Sequence, residues 1–297
     1  MTKKQVSWSC KIALALVLIL LYNTISVQAG SPWHWDFAMK QDLLKDSMIM
    51  PTALFIDQGK EQYYVVDSGK DRLLSFNRQG ELLNILNAGK SLDVPYDMVR
   101  TEDGVMWVVE KGRNTLTSID LLSRKVTPVT LHYHDRLIYP DRLEYAGGLF
   151  YILDKASGDI ISYNRALEPQ QGYSCGKCLL GFVDFKIYDR TLWALDRKQK
   201  TVYRFDLAGA LDGTVLLGDS VSFPVSLAIG PSGYLYILDR HKRNIAVYDK
   251  AGTFKYHFLR YGFTRGDLYY PIEIRFDPWG GLCVIDEGNS RVEVFSR

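Results

Sequence analysis

Short apolar stretches that end at an acidic residue recur along the chain. Two examples are Tyr-Tyr-Val-Val-Asp67 and Leu-Tyr-Ile-Leu-Asp239. The acids are separated by 43, 44, 42, 43 and 47 residues, and they are Asp67, Glu110, Asp154, Asp196, Asp239 and Asp286. A period of this length with several short strands in each unit is typical of a β-propeller blade rather than of a helical solenoid. The pattern therefore predicts six blades.

Each unit carries further parts in the same order. A proline that opens a first strand lies 14 to 16 residues before the acid in five units, at Pro51, Pro95, Pro140, Pro224 and Pro271. Phe182 takes this place in the fourth unit. A polar loop and a third strand follow the acid, and most units then continue into a more variable fourth strand. We therefore predict an all-β fold of six four-stranded antiparallel blades over residues 51–297, with the nearly continuous apolar second strands buried between neighbouring blades.

The two ends of the chain are predicted to close the ring. The sixth unit reaches Phe295 with three strands only, and the segment from Trp33 to Leu43 alternates Trp33, Trp35 and Phe37 with polar or small residues. Alternation of this kind indicates a strand with one buried face. We expect residues 30–50 to supply the outermost strand of the C-terminal blade, which leaves no open edge at the junction.

The first 29 residues have the features of a secretory leader. A basic start is followed by the apolar run from Ile12 to Tyr22, and the small residue Ala29 ends the segment. This predicts a signal peptide over 1–29 with cleavage after Ala29, and hence a periplasmic or secreted protein with no transmembrane span after cleavage. Retention of the leader as an anchor stays open, although eleven apolar residues fall short of the roughly 20 that span a bilayer.

Charge and cysteine usage refine this interpretation. The full chain carries 36 basic and 34 acidic residues, a net charge of +2, but the leader holds three lysines and no acid, so the mature chain falls to −1. Nothing in this balance indicates a nucleic-acid partner. Outside the leader, Cys175 and Cys178 are spaced to form a small disulfide, whereas Cys283 lies in an apolar strand and is expected to be a buried free thiol.

The loops after the acids resemble the NHL repeat, which reads Val-Asp-Ser-Gly-Asn-x-Arg-Ile. The first unit has Asp67-Ser-Gly-Lys-Asp-Arg72 and the last has Asp286-Glu-Gly-Asn-Ser-Arg291, while the middle units are degenerate. The resemblance covers residues 51–297. Members of that family serve as protein platforms, RNA binders and, in a few relatives, metal-dependent lyases or lactonases, so the resemblance implies architecture rather than one activity. Because the acid recurs in every blade, we interpret it as structural.

Candidate functional residues lie where the blades differ. Two residues after the proline position stand Ala53, Asp97, Arg142, Asp184, Ser226 and Glu273, which are expected to surround the mouth of the central channel. Asp97, Arg142, Asp184 and Glu273 form a predicted ligand site, and its three carboxylates are oxygen ligands of the kind that calcium prefers. A solvated ring of mutually neutralising charges is the alternative. His132 and His134 alternate along a predicted outer strand, where a metal pair or two surface histidines would fit.

The clearest asymmetry between blades is basic. The fourth and fifth loops carry the predicted partner-binding residues Arg197, Lys198, Lys200, Arg240, His241, Lys242 and Arg243, whereas the sixth loop is acidic. In an exported protein such a crescent favours an acidic protein, a polysaccharide or a lipid headgroup as partner. Scattered solvating charge is the alternative.

The sequence thus favours an exported, monomeric, noncatalytic binding or scaffold propeller. The alternative is a divalent-metal-dependent hydrolase or lyase, lactonase-like or amidating-lyase-like, that uses the carboxylates of the channel mouth. A redox role for Cys175 and Cys178 is a third hypothesis.

Overall fold

Six four-stranded antiparallel sheets account for almost all of the regular structure. The computed structural model describes residues 32–40 and 46–297, and the predicted leader lies outside this part. The strands of the first three blades are β2 (Pro51–Asp57), β3 (Gln62–Asp67), β4 (Arg72–Asn77) and β5 (Leu82–Leu86); β6 (Pro95–Arg100), β7 (Met106–Glu110), β8 (Thr115–Asp120) and β9 (Lys125–Val129); β12 (Pro140–Ala146), β13 (Leu149–Asp154), β14 (Ile160–Tyr163) and β15 (Pro169–Tyr173).

The remaining three blades follow the same plan. Their strands are β16 (Asp184–Tyr188), β17 (Thr191–Asp196), β18 (Thr201–Asp206) and β19 (Leu211–Leu216); β20 (Pro224–Ile229), β21 (Leu235–Asp239), β22 (Asn244–Tyr248) and β23 (Phe254–Phe258); and β24 (Pro271–Phe276), β25 (Leu282–Asp286), β26 (Arg291–Ser296) and β1 (His34–Met39). Four short 3-10 helices occupy loops, at Ser68–Lys70, Ala88–Lys90, Gly218–Ser220 and Glu287–Asn289. The predicted six-bladed propeller of four-stranded blades is confirmed.

The ring closes through the N-terminal strand, as predicted. β1 pairs antiparallel with β26, the third strand of the sixth blade, and supplies its outermost strand. Trp33, just before β1, is buried and stacks on Phe258 with 5.9 Å between ring centroids. The first strands of neighbouring blades also pack side by side around the whole ring, with β24 next to β2.

Apolar burial is divided among the interfaces between blades. Six clusters of buried side chains lie one at each junction; the cluster between blades four and five, for instance, joins Leu195 and Val202 to Leu227 and Ile237. Both faces of each second strand are covered, which explains why these strands are almost uniformly apolar. Burial of such side chains contributes about 1.5–3 kcal/mol each. A single blade would leave this surface in water.

One extra element interrupts the repeat. Between the second and third blades, β10 (Leu131–Tyr133) and β11 (Arg136–Ile138) form a separate two-stranded hairpin. The prediction that His132 and His134 alternate along a fourth strand is wrong, because that strand is β9 and His134 lies in the hairpin turn with a φ of 51°. Both histidines are exposed. Among the described residues, no helix has the length and apolar character needed to cross a membrane.

Candidate functional site

The two ends of the propeller differ in what they display. We call the end where first strands begin the top face. The loops between second and third strands open on the same side, because in five blades the first residue of the first strand pairs with the last residue of the second, as Pro51 does with Asp67. The bottom face carries the loops between first and second strands. Pocket residues on the top face therefore come from the loops that differ most between blades.

In five blades, the acid at the end of the second strand hydrogen-bonds the segment that connects the previous blade to its own. The carboxylate of Asp67 accepts the backbone N–H of Ile49 at 2.7 Å, two residues before Pro51. The same bond to the preceding link is made by Glu110, Asp154, Asp239 and Asp286. A buried carboxylate that satisfies backbone donors in this way stabilises the loop geometry. The structural interpretation of these five acids agrees with their contacts.

At the channel mouth, side chains join each blade to the next. A β-bulge lies between the proline and the residue two positions on in the five blades that have the proline. Asp97 accepts the N–H of Leu143 at 2.9 Å, and Asp184 accepts the N–H of Leu227 at 2.9 Å. Because first strands of adjacent blades are not paired as a sheet, these side chains satisfy amides that would otherwise be left without a partner.

Three cations occupy the channel between the acids. Lys186 lies 3.0 Å from Asp184 and 3.5 Å from Glu273, and Arg275 forks onto Glu144 at 2.7 and 3.2 Å. Arg142 reaches across to the carbonyl of Thr52 at 3.1 Å and lies 3.7 Å from Glu273. The cations and carboxylates of the channel therefore form a mutually neutralising network.

The channel residues predicted from sequence are only those at the mouth, and the network extends one step deeper along the first strands. Glu144, Lys186 and Arg275 each lie two residues beyond the channel-mouth position, and the alternation of a strand places residues i and i+2 on the same face. Extending the alignment by two positions gives a second ring of Phe55, Val99, Glu144, Lys186, Ala228 and Arg275. The charges of Glu144, Lys186 and Arg275 could therefore have been placed in the channel from the strand alternation in the sequence.

The pKa values of the two buried channel-mouth aspartates are shifted in opposite directions. Desolvation, followed by repulsion from Glu273, raises the pKa of Asp97 to about 7. Burial also acts on Asp184, but Lys186, Arg142 and the hydroxyl of Ser226 outweigh it and lower the pKa of that carboxyl. One carboxylate is thus held firmly ionised while the other carries a proton near neutrality.

The channel-mouth carboxylates do not fit a calcium ion. Calcium takes six to eight oxygen ligands that converge at about 2.3–2.6 Å. Within residues 32–40 and 46–297, Asp97, Asp184 and Glu273 do not converge on one point, and the single group of three or more metal-ligating side chains within 4.8 Å of one another is Cys175, Cys178 and Asp196. The positions between the carboxylates are taken by Arg142 and Lys186.

A cavity of about 800 Å³ lies on the top face above the third to fifth blades. Its walls carry five cationic side chains, Lys155, Arg197, Lys198, Lys200 and Arg240, and one carboxylate, Asp141. Asp141 is engaged by Lys111 at 2.6 Å. The cavity thus brings together four of the seven basic residues predicted from sequence. It also contains Lys155, which was not predicted because it follows the acid of the third blade, whereas the predicted residues follow the acids of the fourth and fifth.

Aromatic rings hold the cations of this cavity in place. The guanidinium of Arg197 lies 4.4 Å from the ring centroid of Phe223, whose other face stacks on His241 at 4.3 Å. Burial, with repulsion from Arg240 as the next cause, lowers the pKa of Arg197. Two cations are therefore held close together, which is favourable for an anion between them.

The other predicted basic residues lie outside the cavity walls. Lys242 donates to the carbonyls of Asp219 and Ser220 at 3.0 and 2.9 Å. Arg243 covers the ring of Tyr261 at 4.4 Å. Arg240, although it lines the cavity, also pairs with Glu287 at 3.0 Å. The basic crescent is thus divided between a cavity and its rim.

The cysteines are found in two different environments. Cys175 and Cys178 are joined by a disulfide in the link before the fourth blade and are partly exposed. Cys283 is a buried free thiol in β25, as predicted, and its burial raises the pKa of the thiol far above the usual value.

Sequence comparison gives no family for this chain. No protein-family model matches it, and no curated protein is significantly similar in sequence. The resemblance to the NHL repeat therefore stays a prediction.

Solved structures nevertheless share the fold. A streptogramin B lyase superposes with a TM-score of 0.64 at 12% identity, covering 89% of this chain and 97% of that one. A catalytically inactive virginiamycin B lyase from Staphylococcus aureus, determined with quinupristin, gives 0.63 at 11% identity, covering 89% and 99%. A gluconolactonase from Xanthomonas campestris gives 0.62 at 14% identity, covering 84% and 86%. This chain is similar to these six-bladed propellers in fold alone.

Proposed function

We propose that the chain is an exported, noncatalytic binding propeller whose top-face cavity receives anionic groups of a protein or polymer partner. The observation that carries the proposal is the composition of the cavity wall: five cations stand against one carboxylate, and that carboxylate is already paired with Lys111. Arg240 also pairs with Glu287, so four of the five cations have no carboxylate partner among the described residues. Cations gathered in this way attract an anion and accelerate its association.

The arrangement of Arg197 supports recognition rather than simple attraction. Its stacking on Phe223 fixes the plane of the guanidinium, and a fixed planar fork suits carboxylate, phosphate or sulfate groups. Exposed apolar and aromatic residues on nearby top-face links, such as Tyr139 and Tyr270, offer additional contact area for a macromolecule.

The test is binding of poly-glutamate and of polygalacturonate by calorimetry at low and at physiological salt. We expect affinity to fall as salt rises, and to fall about tenfold or more in a double variant, Arg197→Gln with Lys198→Gln, because each lost charge-assisted hydrogen bond contributes about 1.5–3 kcal/mol. Lys125→Gln is the control, since Lys125 is exposed on the outer strand β9.

The two probes separate acidic protein from acidic polysaccharide. Binding of neither, or equal binding by the double variant and the control, would overturn the proposal. Retained affinity at high salt would also contradict it, because the cavity offers mainly charge.

A hydrolase or lyase is the second candidate. It is supported by the similar structures described as lyases and a gluconolactonase, and by the pKa of about 7 at Asp97, which suits proton transfer at neutral pH. Asp97 is 3% exposed, so a substrate would have to open the channel mouth to reach it. Turnover of lactone substrates by the wild type that Asp97→Asn abolishes would favour this candidate over binding alone.

A further inference from the structure

Asp196 is the one recurring acid that departs from the contacts of the others. In the five other blades, both carboxylate oxygens have partners; Asp239, for example, bonds the link with one oxygen and the N–H of His241 with the other. The Oδ1 of Asp196 accepts the N–H groups of Lys198 and Gln199 at 2.7 and 3.0 Å. Its Oδ2 is buried and has no hydrogen-bond partner.

The Oδ2 of Asp196 lacks a partner because the segment that links the third blade to the fourth differs from the other links. This link has Phe182 in place of the proline and carries the Cys175–Cys178 disulfide between β15 and β16. The backbone N–H groups that Asp196 accepts come from its own loop, at Lys198 and Gln199, and not from this link. The side chain of Gln199 holds the two loops together by donating to the carbonyl of Lys177 at 2.7 Å. As a result, a carboxylate oxygen of Asp196 and the two sulfurs lie within 4.8 Å of one another.

A purely structural role explains this pair poorly. The disulfide closes a loop of only four residues within one link, so it joins no separate elements and restricts the unfolded chain little. Both cysteines line a cavity of about 400 Å³ at the surface, where a thiol can reach them. Leu179 and Leu180 beside them are 72% and 69% exposed, which suits contact with another protein.

We propose that Cys175 and Cys178 form a thiol–disulfide exchange centre, served by a protein dithiol, and that Asp196 favours its reduced form. A buried acceptor without a donor is unfavourable, and a disulfide offers no donor. After reduction, a thiol S–H donates to Oδ2. Asp196 is therefore satisfied in the dithiol and unsatisfied in the disulfide.

The exchange proceeds in two displacements. A thiolate of the partner attacks one sulfur, the S–S bond breaks, and its electron pair leaves on the other sulfur, which takes a proton from water. The second thiolate of the partner then attacks the mixed disulfide, releasing the second cysteine, which is also protonated. Two electrons and two protons pass to Cys175 and Cys178, and the partner leaves as a disulfide.

The test is equilibration of the full chain in glutathione buffers, with the redox state of the Cys175–Cys178 peptide read by thiol labelling and mass spectrometry. We expect reversible reduction in the folded protein. In Asp196→Asn, which keeps the Oδ1 acceptor, the equilibrium constant for reduction should fall about tenfold, equivalent to ~30 mV for a two-electron couple.

Asp159→Asn is the matched control, because Asp159 lines the same cavity and is not part of the three-residue group. A second readout is alkylation of the reduced pair against pH, which should shift to lower pH in Asp196→Asn because a neighbouring negative charge disfavours the thiolate. Circular dichroism checks that both variants fold.

Three results would overturn the proposal. One is a pair that dithiothreitol reduces only when the protein unfolds. Another is the same equilibrium constant in Asp196→Asn and Asp159→Asn. The third is uptake of one zinc ion per reduced chain that blocks reoxidation and depends on Asp196, since the three side chains would then be metal ligands.

Discussion

At the scale of single residues, the channel shows how a propeller accommodates buried charge. Ionised side chains are costly to bury unless cations and hydrogen bonds compensate them. Lys186 contacts three carboxylates and Arg275 contacts two. Ser226 donates to Asp184 at 2.6 Å while accepting the N–H of Ile274 at 3.2 Å. Burial and the nearby carboxylate of Glu273 raise the pKa of Asp97 to about 7, so this carboxyl gains or loses its proton near neutral pH.

Asp97 should make stability fall as pH rises. Its folded pKa of about 7 lies above the ~3.9 of an unfolded aspartate, so between these values the native chain holds a proton that the unfolded chain has released. Asp97→Asn keeps an acceptor for Leu143 and removes the titration. In urea unfolding, the free energy of unfolding of the variant should rise relative to that of the wild type by at most about 1.4 kcal/mol per pH unit across this window.

Asp184→Asn is the control of opposite sign. Because the fold lowers the pKa of Asp184, its contribution to stability is complete above the ~3.9 of an unfolded aspartate and is lost as pH falls below that value. The stability of Asp184→Asn should therefore trail that of the wild type by a constant amount across the Asp97 window and approach it only in acid. Parallel pH profiles for the two variants would contradict this account of the channel.

At the scale of elements, β1 decides whether the ring has an edge. β26 pairs with β25 on one side and with β1 on the other, so without β1 its outer backbone groups and the aromatic pocket of Trp33 would face water. An exposed strand edge is a template for pairing with another chain.

A chain that begins at Lys40 should therefore be less stable and should associate. Loss of the buried Trp33 alone corresponds to about 3–5 kcal/mol in comparable core truncations. A chain that begins at Pro32 keeps β1 and is the control. Thermal unfolding and light scattering against concentration provide the measurement; identical melting temperatures and monomeric behaviour in both chains would show that β1 is dispensable.

Irregular elements mark the limit of repeat-based prediction. The proline period gave the start of five first strands, whereas the first strand of the fourth blade begins at Asp184, two residues after Phe182. The β10–β11 hairpin was not predicted, because residues 131–138 have the alternation of a single strand. In the structure the chain reverses at His134, which has a left-handed backbone conformation. Left-handed residues other than glycine recur at several turns of this chain, so this conformation by itself did not distinguish the hairpin turn in the sequence.

At the scale of the whole molecule, the arrangement of charge argues against a structural calcium ion. Calcium that bound only the folded state would raise the melting temperature with concentration. We expect neither added calcium nor a chelator to change it, because cations of the chain already neutralise the channel carboxylates. A calcium-dependent rise that Glu273→Gln removes would restore the channel-mouth site predicted from sequence.

The sequence by itself determined the number of blades, their strands, the ring closure and the buried Cys283. These follow from local periodicity and apolar burial, which are written along the chain. Only the tertiary structure decided which charges meet. Lys155 joined Arg197 in one cavity, Arg142 crossed the channel to the first blade, and Asp196 met the disulfide loop. These contacts join residues far apart in sequence, and their partners depend on the curvature of the closed ring, which no local pattern records.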